Sequence, residues 1–287
     1  MKRSSALFLL LVILIPVYCS ADMVIGGDTL YVVQQGDCLV SIGGKLGVNW
    51  TLIAEQNCID INERLKIGEQ LLANTRRIVP RIVSDGIIIN IPEAMLYFFK
   101  KGNLTALPVG LGKSDKKWRT PVGKFKITDK AKDPVWRVPL SIQEEMRMNG
   151  DPVETFREPG PNNPLGRYAL RTSITEILIH ATIWPTTIHQ FRSHGCIRML
   201  PEHIEKLYEQ VAIGTAGQLI YEPVKVAYTQ EGRVFLEVHR DIYRMVKPLN
   251  EEVKKHIEKR NLSDKVDWDK IDTIVHEKSG IAEDVTL

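Results

Sequence analysis

The sequence has few cysteines, few aromatic residues and almost no excess charge of either sign. Of its 287 residues, 4 are cysteine and 7% are aromatic. The formal net charge is +3, and loss of the leader residues Lys2 and Arg3 would leave 36 basic against 35 acidic residues. This balance excludes nucleic acid as the main partner, because such proteins need concentrated positive charge. With 44% hydrophobic and 25% charged residues, the chain has a folded composition and a length that suits two domains.

Long hydrophobic runs are also missing after the first residues. The one extended run, Ala6–Val17, follows two basic residues and precedes small ones. Its twelve residues are fewer than the roughly 20 that a membrane-spanning helix needs. We therefore interpret residues 1–21 as a secretory signal and expect export to the periplasm or cell envelope. Lipidation of Cys19 is the alternative, although Tyr18 stands where lipidation sites have a small residue.

Three cysteines follow this leader: Cys38, Cys58 and Cys196. An odd number in an oxidising compartment allows one disulfide and leaves one thiol to be explained. Cys38 and Cys58 lie 20 residues apart in one small segment, so we expect them to pair. Reduced, buried thiols are the alternative. The pairing would leave Cys196 as the free thiol.

The first unit, residues 28–74, alternates between strand and helix patterns. Leu30–Val33 predicts a strand, a short helix follows near Leu39–Leu46, and a second helix begins after Val48. Residues 67–72 read as a turn and a closing strand. The predicted order is therefore β-α-α-β in fewer than 50 residues.

This unit resembles the LysM module in five short motifs. They are Tyr31–Val33, Gly36–Leu39, Gly47–Val48, Ile53–Asn57 and Gly68–Leu71. The resemblance implies binding to glycan that contains N-acetylglucosamine, chiefly peptidoglycan or chitin. Cys38 replaces the usual threonine, and Gly43 and Gly44 weaken the first helix by roughly 0.5–1 kcal/mol each relative to alanine. A two-helix spacer without glycan affinity is the alternative.

Residues 78–222 form a second unit with strand periodicity. Short apolar runs such as Ile87–Ile91 and Met95–Phe99 are separated by turn residues, and Glu158–Gly166 is a loop rich in proline and glycine. A helix is predicted at Pro201–Val211. The fold class is therefore α+β, with a small β-α-α-β module followed by a β-rich, mixed-sheet sandwich.

A C-terminal extension occupies residues 223–287. It begins with two strand patterns and continues with two helical stripes. The stripes are Leu249, Val253 and Ile257 in the first helix and Trp268, Ile271 and Val275 in the second. We expect both to pack against the preceding domain.

The residues with recognisable chemistry lie between Ile179 and Met199. This segment places Cys196 close to several histidines, among them His180 at the end of an apolar strand. A free thiol has a pKa of about 8.5 and needs a base to act as a nucleophile at neutral pH. His180 can supply that base. The turn Ser193–Cys196 contains a glycine, which lets backbone amides face a developing oxyanion.

A zinc site and a purely structural thiol are the competing interpretations. The available donors are His180, His189, His194, Cys196 and His203. The segment has neither a Cys-x-x-Cys nor a His-x-x-x-His pair. Two ligands on one tight turn would also have to bind together with a distant strand residue. We therefore expect no metal and no cofactor.

At these residues the sequence resembles the L,D-transpeptidase catalytic domain, also called the YkuD domain. Its signature is a histidine followed about a dozen residues later by Ser/Thr-His-Gly-Cys, an apolar residue and arginine or asparagine. His180 and Ser193–Arg198 match it position by position, and Ala181 stands where the family commonly has glycine. The similarity covers roughly residues 82–222, through Pro108–Gly112, Thr120–Gly123, Pro134–Trp136 and Asn163–Gly166.

The resemblance implies a role for each matching residue. Cys196 would attack the third residue of a peptidoglycan tetrapeptide stem and expel D-alanine, with His180 as general base and the Ala181 carbonyl as its orienting partner. The amides of His194, Gly195 and Cys196 would line the oxyanion hole. The substrate contacts would come from Arg198, Ser193 and Trp184, although Arg198 can equally serve to brace the loop.

The acyl acceptor stays open at this point. An amine of another stem would give a 3-3 cross-link, the lysine of a lipoprotein would give a protein anchor, and water would make the enzyme a carboxypeptidase. A non-catalytic, wall-binding LysM protein is the alternative from another class. Peptidoglycan is the expected partner in every case. We also expect residues 28–74 to act as a separable tether with few contacts to the catalytic domain.

Overall fold

The computed structural model describes residues 22–246 and 248–287. The predicted secretory signal and Cys19 lie outside these residues. Within the described ranges, no helix combines the length and the apolar character needed to cross a membrane. The chain forms three adjoining units, each with an apolar core of its own.

Within residues 28–74 the N-terminal unit has the β-α-α-β order that the sequence predicts. Its elements are β1 (Val24–Ile25), β2 (Asp28–Val32), α1 (Leu39–Leu46), α2 (Trp50–Gln56), β3 (Gln70–Asn74) and β4 (Arg77–Ile78). Strand β2 pairs with β3, and β1 with β4, both in antiparallel orientation. Both helices cover the β2–β3 ribbon because their apolar residues recur on one side. The core includes Val33, Leu39, Ile42, Ile53 and Leu71.

The predicted disulfide between Cys38 and Cys58 is wrong in this structure, where both residues are free, exposed thiols. Cys38 is the N-cap of α1, and its backbone N–H donates to Ser41 Oγ at 3.0 Å. Cys58 follows α2 with a left-handed backbone (φ 53°). Beside it, the Asn57 side chain bonds to both backbone groups of Leu72 at 2.8 Å. Hydrogen bonds of neighbouring residues thus fasten both helix ends without a covalent link.

The central unit contains most of the strands. Its elements are β5 (Gly86–Asn90), β6 (Met95–Lys100), β7 (Asn103–Pro108), β8 (Leu111–Gly112), β9 (Gly123–Lys132), β10 (Trp136–Arg137), α3 (Leu140–Asn149), β11 (Phe156–Arg157), β12 (Tyr168–Thr172), β13 (Leu178–Ala181), a 3-10 turn (Pro185–Thr187), β14 (Phe191–Ser193), β15 (Ile197–Met199), α4 (Pro201–Gln210) and β16 (Ala216–Ile220).

Eight of these strands form one mixed sheet in the order β15-β13-β12-β9-β16-β5-β6-β7. The pairs β13–β15 and β16–β5 are parallel, and the others are antiparallel. This confirms the predicted α+β class with a mixed sheet. Strand β15 lies at one edge of the sheet beside β13. The segment between Ile179 and Met199 therefore has its two ends next to each other in space.

The C-terminal unit differs from its predicted packing. Its elements are β17 (Val224–Tyr228), β18 (Val234–Val238), α5 (Leu249–Lys259), a 3-10 turn (Ser263–Lys265), α6 (Trp268–Glu277) and β19 (Glu283–Asp284). Both helices pack on the β17–β18 strand pair rather than on the large sheet, because that pair has an apolar face of its own to cover. In α6 the buried residues are Ile271 and Ile274. One contact with the central unit is made by Tyr243, whose hydroxyl donates to the Gly112 carbonyl at 2.7 Å.

A buried charge network joins the three units. The Lys225 ammonium on β17 lies 2.8 Å from both Glu93 and Glu237 and donates to the Ile78 carbonyl at 2.6 Å. His239 lies 2.6 Å from Glu237. Burial alone would raise the pKa of the Glu93 carboxyl, but Lys225 and the other cations nearby hold it at about 2. The Glu93 carboxyl is therefore charged at neutral pH, and its contribution to stability is lost as the pH falls toward 2.

We expect Lys225→Met to lower the free energy of unfolding by about 3–5 kcal/mol, because it leaves two buried carboxylates without their cation. Urea denaturation followed by circular dichroism measures this change. Lys254→Met is the matched control. The Lys254 side chain is 67% exposed and its ammonium lies as far as 3.8 Å from the Glu258 carboxylate, and exposed ion pairs of this kind contribute little to stability. Equal stability of the two variants would contradict a structural role for the network.

Candidate active site

His180 and Cys196 lie on one face of two neighbouring strands. The parallel register pairs Ile179 with Ile197 and His180 with Arg198. Both isoleucines are buried in the core of the large sheet. Because side chains alternate along a strand, His180 and Arg198 project from the opposite face, and Cys196, just before β15, projects with them. The sheet therefore brings the candidate base and the candidate nucleophile to one surface as diagonal neighbours.

His180 is held in one tautomer. Its Nδ1 lies 2.6 Å from the Ala181 carbonyl oxygen, which only accepts, so Nδ1 carries the proton. Burial lowers the pKa of His180 to about 4, and the Arg198 charge adds to this effect while the Ala181 bond opposes it. At neutral pH the ring is therefore uncharged, and Nε2 is the nitrogen that carries no proton.

The Cys196 thiol rests against the backbone at the start of β13. The thiol donates to the Glu176 carbonyl at 3.3 Å, and the Leu178 N–H donates to Sγ at 3.5 Å. Burial raises the pKa of the Cys196 thiol, against smaller lowering effects of the Leu178 N–H and the Arg198 charge. The two reactive groups at rest are thus a neutral thiol and a neutral imidazole.

The turn before Cys196 is fixed by hydrogen bonds from the side chains of Ser193 and Thr120. The buried Ser193 hydroxyl donates to the Cys196 carbonyl at 2.6 Å and accepts the Gly195 N–H at 3.1 Å. Thr120 Oγ1 donates to the Gly195 carbonyl at 2.8 Å. Gly195 itself has φ 110°, a backbone conformation that L side chains rarely adopt. The structure thus places Ser193 and Gly195 in the frame of the turn, with the Gly195 N–H already bonded rather than turned toward an oxyanion.

His194 is tied to a helix that sequence reasoning did not connect with the site. Its Nε2 lies 2.7 Å from Glu145 of α3, and Lys113 Nζ lies 3.4 Å from the same atom. The Trp118 ring meets the imidazole edge-on at 4.4 Å. Burial lowers the pKa of His194, Lys113 adds to this, and Glu145 opposes it. Glu145 is 49 residues from His194 in sequence, and no local motif marks it.

Beside Cys196, the exposed Trp184 ring lies next to the partly buried Arg198 side chain. The Arg198 guanidinium lies 5.5 Å from the centre of the Trp184 ring, and the ring is 46% exposed. Among the described residues, no carboxylate forms an ion pair with Arg198. The backbone of Arg198 is bonded twice to Gly110, each time at 2.8 Å. Backbone hydrogen bonds thus hold β15 in place without using the Arg198 guanidinium.

Among the described residues, the donors of the zinc interpretation (His180, His189, His194, Cys196 and His203) do not form a group that could hold a metal ion. His189 and His203 each have a buried Nδ1 without a hydrogen-bond partner. In the part of the chain that the structure describes, the one group of side chains close enough to hold a metal ion is Glu93, Glu237 and His239. These residues belong to the charge network at the junction of the units. Lys225 already supplies the positive charge there.

Comparison with known proteins identifies two domains. Residues 84–226 match the model of the YkuD family, the L,D-transpeptidase catalytic domain, and residues 31–73 match the LysM domain. YbiS of Escherichia coli K12, a probable L,D-transpeptidase, is 37% identical over 181 residues, which are 62% of this chain and 56% of YbiS. YcfS of the same strain, also a probable L,D-transpeptidase, is 27% identical over 232 residues, 79% of this chain and 72% of YcfS.

The chain thus spans little more than half the length of YbiS. Among solved structures, an L,D-transpeptidase from Mycobacterium tuberculosis H37Rv overlaps with 55% of this chain and 74% of its own. That overlap has 14% sequence identity and a TM-score of 0.37.

The neutral state of the two reactive groups predicts how Cys196 reacts with iodoacetamide. In a Cys38→Ser/Cys58→Ser background, the alkylation rate at neutral pH should be low. It should rise about tenfold per pH unit up to and beyond pH 9, because only the thiolate reacts. His180→Ala should leave this profile nearly unchanged. A rate that is constant between about pH 5 and 8 and collapses in His180→Ala would instead show a thiolate–imidazolium pair.

Proposed function

Because residues 84–226 match the YkuD family of L,D-transpeptidases and residues 31–73 match the LysM domain, we propose that this chain acts on peptidoglycan through an acyl-enzyme on Cys196. The observation that carries this proposal is the shared face of β13 and β15, where the candidate nucleophile Cys196 and the candidate base His180 are diagonal neighbours. The predicted leader, residues 1–21, supports a place in the periplasm or cell envelope. The LysM domain supports contact with the wall glycan.

The first half-reaction forms a thioester. Nε2 of His180 takes the thiol proton as Sγ attacks the carbonyl carbon of the third stem residue. Since the Gly195 N–H is bonded to Ser193, we assign stabilisation of the oxyanion to the N–H groups of Cys196 and His194. The tetrahedral intermediate collapses when His180 returns the proton to the leaving nitrogen. The C–N bond then breaks, and D-alanine departs with its new N–H.

The second half-reaction transfers the acyl group. An incoming amine gives a proton to Nε2 of His180 and attacks the thioester carbonyl. The C–S bond breaks, the thiol is protonated again, and a new amide forms. No ATP is needed, because the acyl-enzyme retains much of the free energy of the amide that was cleaved. This suits an enzyme that works outside the cytoplasm.

Arg198 and Trp184 are proposed to hold the acyl donor. A tetrapeptide stem carries carboxylates, and the unpaired guanidinium of Arg198 can bind one of them through two parallel hydrogen bonds. The exposed face of Trp184 provides an apolar wall beside it. Water or a lipoprotein lysine in place of the stem amine would give hydrolysis or protein anchoring by the same chemistry.

Cys196→Ala should abolish the release of D-alanine, because it removes the nucleophile and little volume. His180→Ala should lower the rate by about 10²–10⁴-fold, the usual contribution of a general base. Mass spectrometry of muropeptides, after incubation with tetrapeptide-bearing wall fragments, measures both effects. It also separates a 3-3 cross-link from a hydrolysed tripeptide.

His276→Ala on the exposed face of α6 is the control and should behave as wild type. A carbapenem, which resembles an acyl donor, should add its mass to Cys196. Wild-type turnover in Cys196→Ala, or an adduct on a serine, would show that the cysteine mechanism is wrong.

Arg198→Leu tests the binding of the donor separately from the chemistry. The two backbone bonds to Gly110 do not depend on this side chain, so the strand should stay in place. We expect KM for a tetrapeptide donor to rise at least about tenfold with a smaller change in kcat, because a charged contact present throughout the reaction is lost. An unchanged KM would assign Arg198 to bracing of the loop instead.

A further inference from the structure

The LysM unit is packed against the loop that connects the two candidate catalytic strands. Helix α1 lies on the 3-10 turn Pro185–Thr187, which belongs to the segment between His180 and Cys196. One close approach is at Gly44. A Cβ on this glycine would lie 3.1 Å from the Ile188 carbonyl oxygen and 3.4 Å from Ile188 Cβ. Ile188 is fully buried beneath the helix.

A second contact anchors the C-terminal end of α1. The buried Arg77 guanidinium donates to the carbonyls of Leu46 and Gly47 at 3.1 and 3.2 Å. This places a cation at the negative end of the helix dipole. Gly47 has φ 66°, and a Cβ there would lie 2.7 Å from Met95 Sδ of β6. The close contact therefore extends from the loop to the large sheet.

The loop is connected by hydrogen bonds to the strand that follows Cys196. His189 N–H donates to the Val109 carbonyl at 3.0 Å. The next residue, Gly110, exchanges two backbone hydrogen bonds of 2.8 Å with Arg198. A Cβ on Gly110 would lie 2.4 Å from the Thr187 carbonyl oxygen. Each step is a close backbone contact, so a shift of the loop would also displace Arg198.

We infer that the LysM unit is a positioning element of the active site as well as a glycan-binding module. Gly44 and Ile188 form the contact through which α1 holds the loop, and with it Trp184 and Arg198. The expectation of a separable tether assumed few contacts across the boundary, and the structure has a glycine-dependent one beside the site. This inference rests on the proposed function, since it concerns the same site.

The test is a graded series in the full chain, Gly44→Ala and Gly44→Leu. Alanine and leucine both favour a helix more than glycine does, so the helix itself is not weakened. The added carbons must push the loop away. Glu55→Leu is the matched control, because it places the same side chain on an exposed position of α2.

Two measurements distinguish positioning from a general loss of structure. One is kcat/KM with a small soluble tetrapeptide donor, for which we expect a fall of about 10- to 100-fold in Gly44→Leu and a smaller fall in Gly44→Ala, since small displacements of a site have effects of this size. The other is hydrogen exchange at His189 and Arg198. Their protection should fall at least tenfold while that of the LysM core is retained.

Wild-type kinetics and exchange in both Gly44 variants, as in Glu55→Leu, would overturn the inference and leave the proposed function intact. If Gly44→Leu unfolds the LysM core, the smaller Gly44→Ala variant decides. If the wild-type protein transfers no acyl group, the proposed function is wrong, and hydrogen exchange alone decides whether α1 positions the loop.

Discussion

The parallel pairing of β13 with β15 is the contact on which the candidate site depends. Side chains alternate with a period of two, so the register that buries Ile179 and Ile197 necessarily turns His180 and Arg198 to the other face. A slip of one residue would place either the histidine or the cysteine in the core. The apolar residues of these short strands therefore define the geometry of the polar ones. Core packing and chemistry are specified by the same register.

Burial then sets the protonation states. It lowers the pKa of His180 to about 4 and raises the pKa of Cys196. The orienting partner of His180 is a carbonyl rather than a carboxylate, so no negative charge stabilises an imidazolium. In the proposed mechanism the pair remains neutral until a substrate arrives, and proton transfer is coupled to attack. Such a thiol is protected at rest, because only a thiolate is strongly nucleophilic.

The units are joined by contacts that differ from those of a flexible linker. At one junction, Lys225 pairs with two buried carboxylates contributed by different units. At the other, the absence of a side chain at Gly44 allows helix α1 to approach Ile188 closely. A buried charge without its partner and a clash at a glycine are both costly. These contacts favour a defined arrangement of the LysM and catalytic modules. In the proposed function, this arrangement would hold the wall polymer at a fixed position relative to the active site.

Local pattern by itself determined the α+β class, the β-α-α-β order of the LysM unit, the bounds of α1 at Leu39–Leu46, and the motif that links His180 to Cys196. Turn chemistry, helix periodicity and strand alternation act over a few residues, so the sequence displays them directly. Tertiary structure alone decided that Cys38 and Cys58 stay apart, that Gly195 donates inward to Ser193, and that the C-terminal helices cover their own sheet. It also brought Glu145 to His194 and Gly44 to Ile188. Each of these depends on segments distant in sequence, whose meeting is set by how whole elements pack.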